Sequence, residues 1–123
     1  MKSHAILLLT TALLTASHLA TAQREPVPNP DFTQGESVPE NATHTWNLGP
    51  TGARGWMHSD RLETTQARQV LVTEVAPGSP ADGVLQKNDV ILGVFGESFS
   101  YDPRTEIGLA IGRAEAGNGE LPV

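Results

Sequence analysis

Few side chains in this sequence are of a type and spacing that could catalyse anything. Beyond residue 22 the imidazoles are His44 and His58, and His58-Ser59-Asp60 places a base, a hydroxyl and a carboxylate side by side. Adjacency in sequence does not supply the spatial relay of nucleophile, base and orienting acid that a hydrolytic triad needs. Ser79 sits in Gly78-Ser79-Pro80 and not in a Gly-x-Ser-x-Gly elbow, and its surroundings suit a helix cap. His44 and His58 with Asp60 and Glu63 match no established metal-ligand spacing, so a solvated polar loop is expected there. The expectation is a protein without a catalytic residue, a bound metal or a cofactor.

A second kind of chemistry is recognition. From Trp46 to Met57 glycines at 49, 52 and 55 alternate with bulky residues. Glycine permits left-handed backbone and close approach of a second chain, and consecutive exposed amides can form a concave nest for a carboxylate. Arg54, before Gly55, is a cation able to pair with such a group. The same glycines also suit a plain turn leading into a first strand, and composition leaves both readings open.

The flanking elements are those that would have to position such a site. Val70-Leu71-Val72-Thr73-Glu74-Val75 is rich in β-branched residues and ends at Ala76-Pro77-Gly78-Ser79-Pro80, which predicts a strand and a tight turn. Ser79 with Pro80 after it predicts a short helix over 79–85. Asn88-Asp89 suits a turn with Asn in the left-handed conformation, Val90 to Val94 reads as one buried strand, and Gly96 breaks it with Glu97 and Ser98 at the turn. Asp102 as N-cap and Pro103 at the first helical position open a longer helix whose apolar face is Ile107, Ala110, Ile111 and Ala114. Leu109 lies off that face, and Gly117-Asn118-Gly119 ends the helix. Leu121-Pro122-Val123 resembles the opening of a further strand.

Upstream, Lys2, the apolar run Ala5 to Leu14 and Ala20-Thr21-Ala22 have the three-part form of a secretory signal peptide cut after Ala22, which implies a periplasmic or secreted protein. The run is too short for a membrane span, so no stable span is expected after cleavage. Residues 23–45, with prolines at 26, 28, 30 and 39, read as a flexible Pro-rich lead-in, and residues 46–123 as one domain. The chain carries a net charge of −6, and losing Lys2 makes it more acidic, which argues against nucleic acid and anionic membranes as partners. Without cysteine, stability must come from packing or from the rest of a larger assembly.

Val72 to Ala81, Gly83-Val84-Leu85, Asn88-Asp89-Val90-Ile91 and Gly96 together resemble the core of bacterial PDZ domains. Asn47 to Trp56 with this core also resembles the N-terminal part of a family of large secreted bacterial proteins of unknown function. The resemblance implies an α+β fold: a PDZ-like, partly open antiparallel β-barrel or sandwich with one short and one longer helix. It also implies a further hairpin after the long helix, so the chain is expected to be C-terminally incomplete. The implied function is binding of an extended peptide, or of a protein C-terminus, by strand addition between the glycine-flanked loop (Arg54, Gly55, Trp56, Met57) and the long helix, with Arg104, Gly108 and Ile111 lining the groove. The alternative is a docking part of a larger exported enzyme, such as a protease, formed with further domains of the same polypeptide.

Overall fold

A computed structural model describes residues 28–123 apart from 41 and 43, so the expected signal peptide and the first part of the lead-in lie outside the described residues. Among the described residues the fold is α+β: antiparallel sheets and one helix, open rather than closed into a barrel. Its centre is β3, Val70–Val75, where the predicted strand forms over the same residues. Alternation along β3 buries Val70 and Val72 completely and leaves Leu71 and Thr73 half-buried. On one side β3 pairs with β2, Ala53–Trp56, which pairs with β1, Trp46–Asn47; on the other it pairs with β4, Val90–Ile91.

Gly55 makes the β2–β3 contact possible. A β-carbon there would lie 2.5 Å from Val70 Cγ1 and 3.2 Å from the Leu71 carbonyl oxygen. The register shifts by a bulge between Arg54 and Gly55, a local bend that re-aims the strand.

The apolar run 90–94 is not one strand. Leu92 is exposed between β4 and β5, Gly93–Val94, which belongs to a separate hairpin with β6, Glu97–Ser98. The turn falls at Phe95-Gly96, both left-handed, and Glu97 and Ser98 are strand rather than turn. A β-carbon on Gly93 would collide with the Glu97 carbonyl, so the break is set by how closely the hairpin closes. Asn88 is left-handed as expected, at φ 78°.

The short helix predicted over 79–85 is absent; that stretch is a series of turns, with Asp82 N donating to Ser79 O and Leu85 N to Ala81 O. Ser79 does not cap a helix. Its hydroxyl donates to the Ala76 carbonyl, and the Asp82 carboxylate takes the Gly78 amide. Left-handed Gly83 leaves the stretch without continuous helical backbone.

The long helix α1, Pro103–Ala116, forms as predicted, with the Asp102 carboxylate accepting from Arg104 N. Ile107, Ala110 and Ala114 are buried, and Leu109 is exposed. α1 packs against β5, where the Arg113 guanidinium lies 4.0 Å over the Phe95 ring. No strand forms at 121–123, but the Pro122 carbonyl accepts from Phe95 N at 2.9 Å.

The lead-in departs most from its composition. From Pro28 to Gln34 it is a strap laid on the domain rather than a flexible tether. Phe32, in a 3-10 turn capped by Asp31, is buried edge-on to Trp56 with ring centroids 5.6 Å apart. Its amide donates to Gln69 Oε1 at 2.7 Å, Gln69 Nε2 donates to Asp31, Asn29 donates to the Gln66 carbonyl, and His58 Nδ1 donates to the Pro28 carbonyl at 3.0 Å. Few apolar residues are needed when one aromatic fills a slot and polar side chains satisfy the backbone. Phe32→Ala should therefore lower stability by about 3 kcal/mol in urea unfolding and expose Trp56 to a fluorescence quencher; an unchanged transition midpoint would show that the strap does not hold the domain.

Candidate functional site

A groove of about 350 Å³ runs between α1 and the segment formed by β1 and the following turn. Trp46, Leu48 and Gly49 form one wall; Arg104, Ile107, Gly108 and Ile111 form the other. The Arg104 guanidinium sits 5.4 Å from the Trp46 ring centroid at one end. Towards the other end a β-carbon on Gly49 would lie 3.5 Å from Ile111 Cδ1, so β1 and α1 run in the same direction along the groove. Gly108 leaves a gap between them, since a β-carbon there would meet nothing within 4 Å.

β1 is an edge strand. Leu48 N donates to the Ala53 carbonyl, and Trp46 stands opposite Gly55, so residues 46 and 48 direct their main-chain groups to β2. In an antiparallel ladder these directions alternate, which turns the N–H and C=O of Asn47 to the open edge. Asn47 also borders the groove, and its side chain accepts from Gly49 N at 2.9 Å.

Of the residues singled out from the sequence, Arg104, Gly108 and Ile111 are brought together here. Arg54, Gly55, Trp56 and Met57 are not. Arg54 turns its Nε and Nη2 to Thr45, donating to Oγ1 and to the carbonyl, and Gly55, Trp56 and Met57 are buried in the sheet and core. The strand that faces the helix is β1, one strand earlier than the glycine spacing suggested. Trp46, Leu48 and Ile107 were missed as wall residues, although an apolar pair flanking Asn47 just before Gly49-Pro50 is the signal of a strand entering a turn.

Several of the residues weighed for catalysis or metal binding are engaged in the fold. His58 is buried against the strap, Ser79 closes a turn, and Asp60 and Glu63 exchange both main-chain hydrogen bonds across Arg61-Leu62. Among the described residues no group of three His, Asp or Glu is placed to hold a metal ion.

Asp102 sets the electrostatics at the Trp46 end. It caps α1 and receives Arg104 Nε at 3.2 Å and Nη2 at 2.8 Å, while Nη2 also reaches the Leu62 carbonyl at 3.3 Å. Leu62 and Arg61 are both left-handed, at φ 67° and 54°, in a two-residue turn that would ordinarily favour Asn-Gly. Partial burial pushes the Asp102 carboxyl up. The Arg104 side chain, the neighbouring Thr64 hydroxyl, the Arg104 amide and the guanidinium charge outweigh it, bringing the carboxyl down to about 2. The Thr64 hydroxyl itself is buried and does not reach good hydrogen-bond geometry with any partner among the described residues. Asp102 in turn raises the pKa of Arg104.

Compared with protein families, curated proteins and solved structures, the chain gives no match.

Because the Asp102 pKa is lowered on folding, its stabilisation is present above its ordinary value of 3.8 and is lost as the pH falls through about 2. Asp102→Asn keeps a cap but loses the charge pair, so stability at pH 7 should drop by about 1 kcal/mol. The variant should also lack this contribution to the slope of stability with pH between the two values. Equal slopes in the variant and the parent would show that Asp102 does not carry the acid dependence.

Proposed function

We propose that the protein is an exported, PDZ-like binding module that takes an extended peptide as an added strand along β1, in the groove beside α1. The observation that carries this reading is the open edge at Asn47, whose main-chain donor and acceptor turn away from β2 beside an apolar-walled groove with a helix opposite. Main-chain bonds from the edge strand give affinity without regard to sequence. The gap at Gly108, between Ile107 and Ile111, gives room for one bulky apolar side chain of the ligand. Antiparallel addition to β1 would carry the peptide's C-terminal direction towards Trp46 and Arg104. The antiparallel sheet, the helix beside its edge and the Gly-Ser-Pro-Ala turn after the central strand support the PDZ-like reading. Recognition rather than catalysis is the role this geometry favours.

Gly108→Leu should abolish binding of peptides selected from a random library displayed on phage, because the leucine enters open groove, where a β-carbon at 108 meets nothing within 4 Å. Helix propensity improves by about 1 kcal/mol, so the thermal midpoint should hold or rise. In NMR titration the Asn47 amide should shift and gain protection from exchange on adding the selected peptide to the parent chain. Undiminished binding in Gly108→Leu would place the site elsewhere.

Export is proposed from Lys2, the apolar run Ala5 to Leu14 and Ala20-Thr21-Ala22. Mass spectrometry of the protein recovered outside the cytoplasm should show Gln23 at its N-terminus. Exported protein retaining Met1 would reject cleavage at that site.

A further inference from the structure

We infer that the ligand of this groove is an internal extended segment with a neutral acceptor at the Arg104 end, and not a chain terminus; this rests on the strand-addition reading. A terminal carboxylate leaving water needs an unpaired cation or several unsatisfied amides to receive it. The described groove offers neither. Arg104 is the cation lining it, and Asp102 already neutralises that charge with bonds to both Nε and Nη2. Arg54 is committed to Thr45.

Most of the amides that might form a nest are also used. At the start of α1, Pro103 has no N–H, Arg104 N donates to the Asp102 carboxylate, and Thr105 N and Glu106 N donate to the Asp102 carbonyl. In the turn after β1, Gly49 N donates to the Asn47 side chain, Gly52 N to the Gly49 carbonyl and Ala53 N to the Thr51 hydroxyl. With a chain charge of −6, an added carboxylate is disfavoured at long range as well.

What remains is the Nη1 edge of Arg104, which has no partner among the described residues. Asp102 and the Leu62 carbonyl hold the other donors and Trp46 lies under the plane, so Nη1 is a fixed donor on a charge-neutral pair. A main-chain carbonyl or a Ser, Thr, Asn or Gln side chain satisfies it without bringing charge, and a segment continuing past this point meets no penalty for lacking a terminus.

Two random peptide libraries test this on the whole chain, one displayed with linkers at both ends and one with free C-termini. The best core sequence is then synthesised as a free acid, as an amide and with a Gly-Ser extension, and each is titrated calorimetrically. The amide and the extended peptide should bind within about threefold of the free acid or better. A free acid at least tenfold tighter, worth about 1.4 kcal/mol, would overturn the inference, as would enrichment from the free-terminus library alone.

Asp102→Asn supplies the control, because it retains a capping residue while freeing the Arg104 charge. In that variant the preference should swing towards the free acid by about fivefold or more, and an unchanged ratio would remove neutralisation by Asp102 as the cause. If neither library enriches, or Gly108→Leu leaves binding of the selected peptide unchanged, the groove reading itself fails and the inference falls with it. That result is distinct from tight binding with a preference for the free acid.

Discussion

The close approach of β2 to β3 at Gly55 is the constraint on which the rest of the structure hangs. With no side chain at 55, the Val70 side chain and the Leu71 carbonyl come up against the backbone of β2, and Val70 and Val72 lie fully buried beneath. Met57, one residue beyond the strand, is then carried into the core, and Trp56 meets Phe32 of the strap. Trp46, opposite Gly55 in the register, is fixed as the start of the edge strand. A residue that the sequence offered as a ligand-binding glycine is therefore a packing glycine, and the groove lies one strand away, beside β1.

A second constraint, local to the groove, is the Asp102 carboxylate. The N-cap role, the ion pair with Arg104 and the link through Arg104 to the Leu62 carbonyl converge on one side chain. The strained Arg61-Leu62 turn, the start of α1 and Trp46 are thereby tied together by a guanidinium that stays over the indole. Because both partners of the pair are charged and partly shielded, they define a direction for hydrogen bonding without leaving a net charge at the groove end.

What was legible in the sequence follows from how local each signal is. The β3 residues Val70–Val75 and the Asp102-Pro103 start of α1 are specified by neighbours in the chain, and they form where propensity and capping place them. The left-handed Asn88 is of the same kind. The identity of the groove strand depends on which strand is left at the sheet edge, a tertiary fact that glycine spacing does not encode, so Arg54 to Met57 lie away from the groove while Arg104, Gly108 and Ile111, read from their position on the helix, line it. The strap was illegible for a different reason. A Pro-rich segment with one aromatic has the composition of a tether, and only Gln69, Gln66 and His58, more than twenty residues away in sequence, turn it into packed structure. The 79–85 stretch does not form a helix because Ser79 turns its hydroxyl back to the Ala76 carbonyl instead of capping, and left-handed Gly83 breaks the helical backbone.

An unpaired sheet edge is a hazard, and the shape of the edge left at β1 among the described residues limits it. β1 is two residues long, bounded by a 3-10 turn at Gly49–Thr51, and is overlooked along its length by α1. A flat strand from another molecule would have to pass the helix and the Arg104–Trp46 stack before it could pair, which disfavours broad edge-to-edge association. β4, at the opposite edge, is equally short, and the chain turns out of the sheet at Leu92 because Gly93 must close against Glu97. Both edges are thus too short to template a sheet, and what separates them is the helix beside β1. On the proposed strand-addition reading, that asymmetry would concentrate recognition on β1, and would make the side chains of α1, rather than the backbone that any polypeptide shares, the source of selectivity.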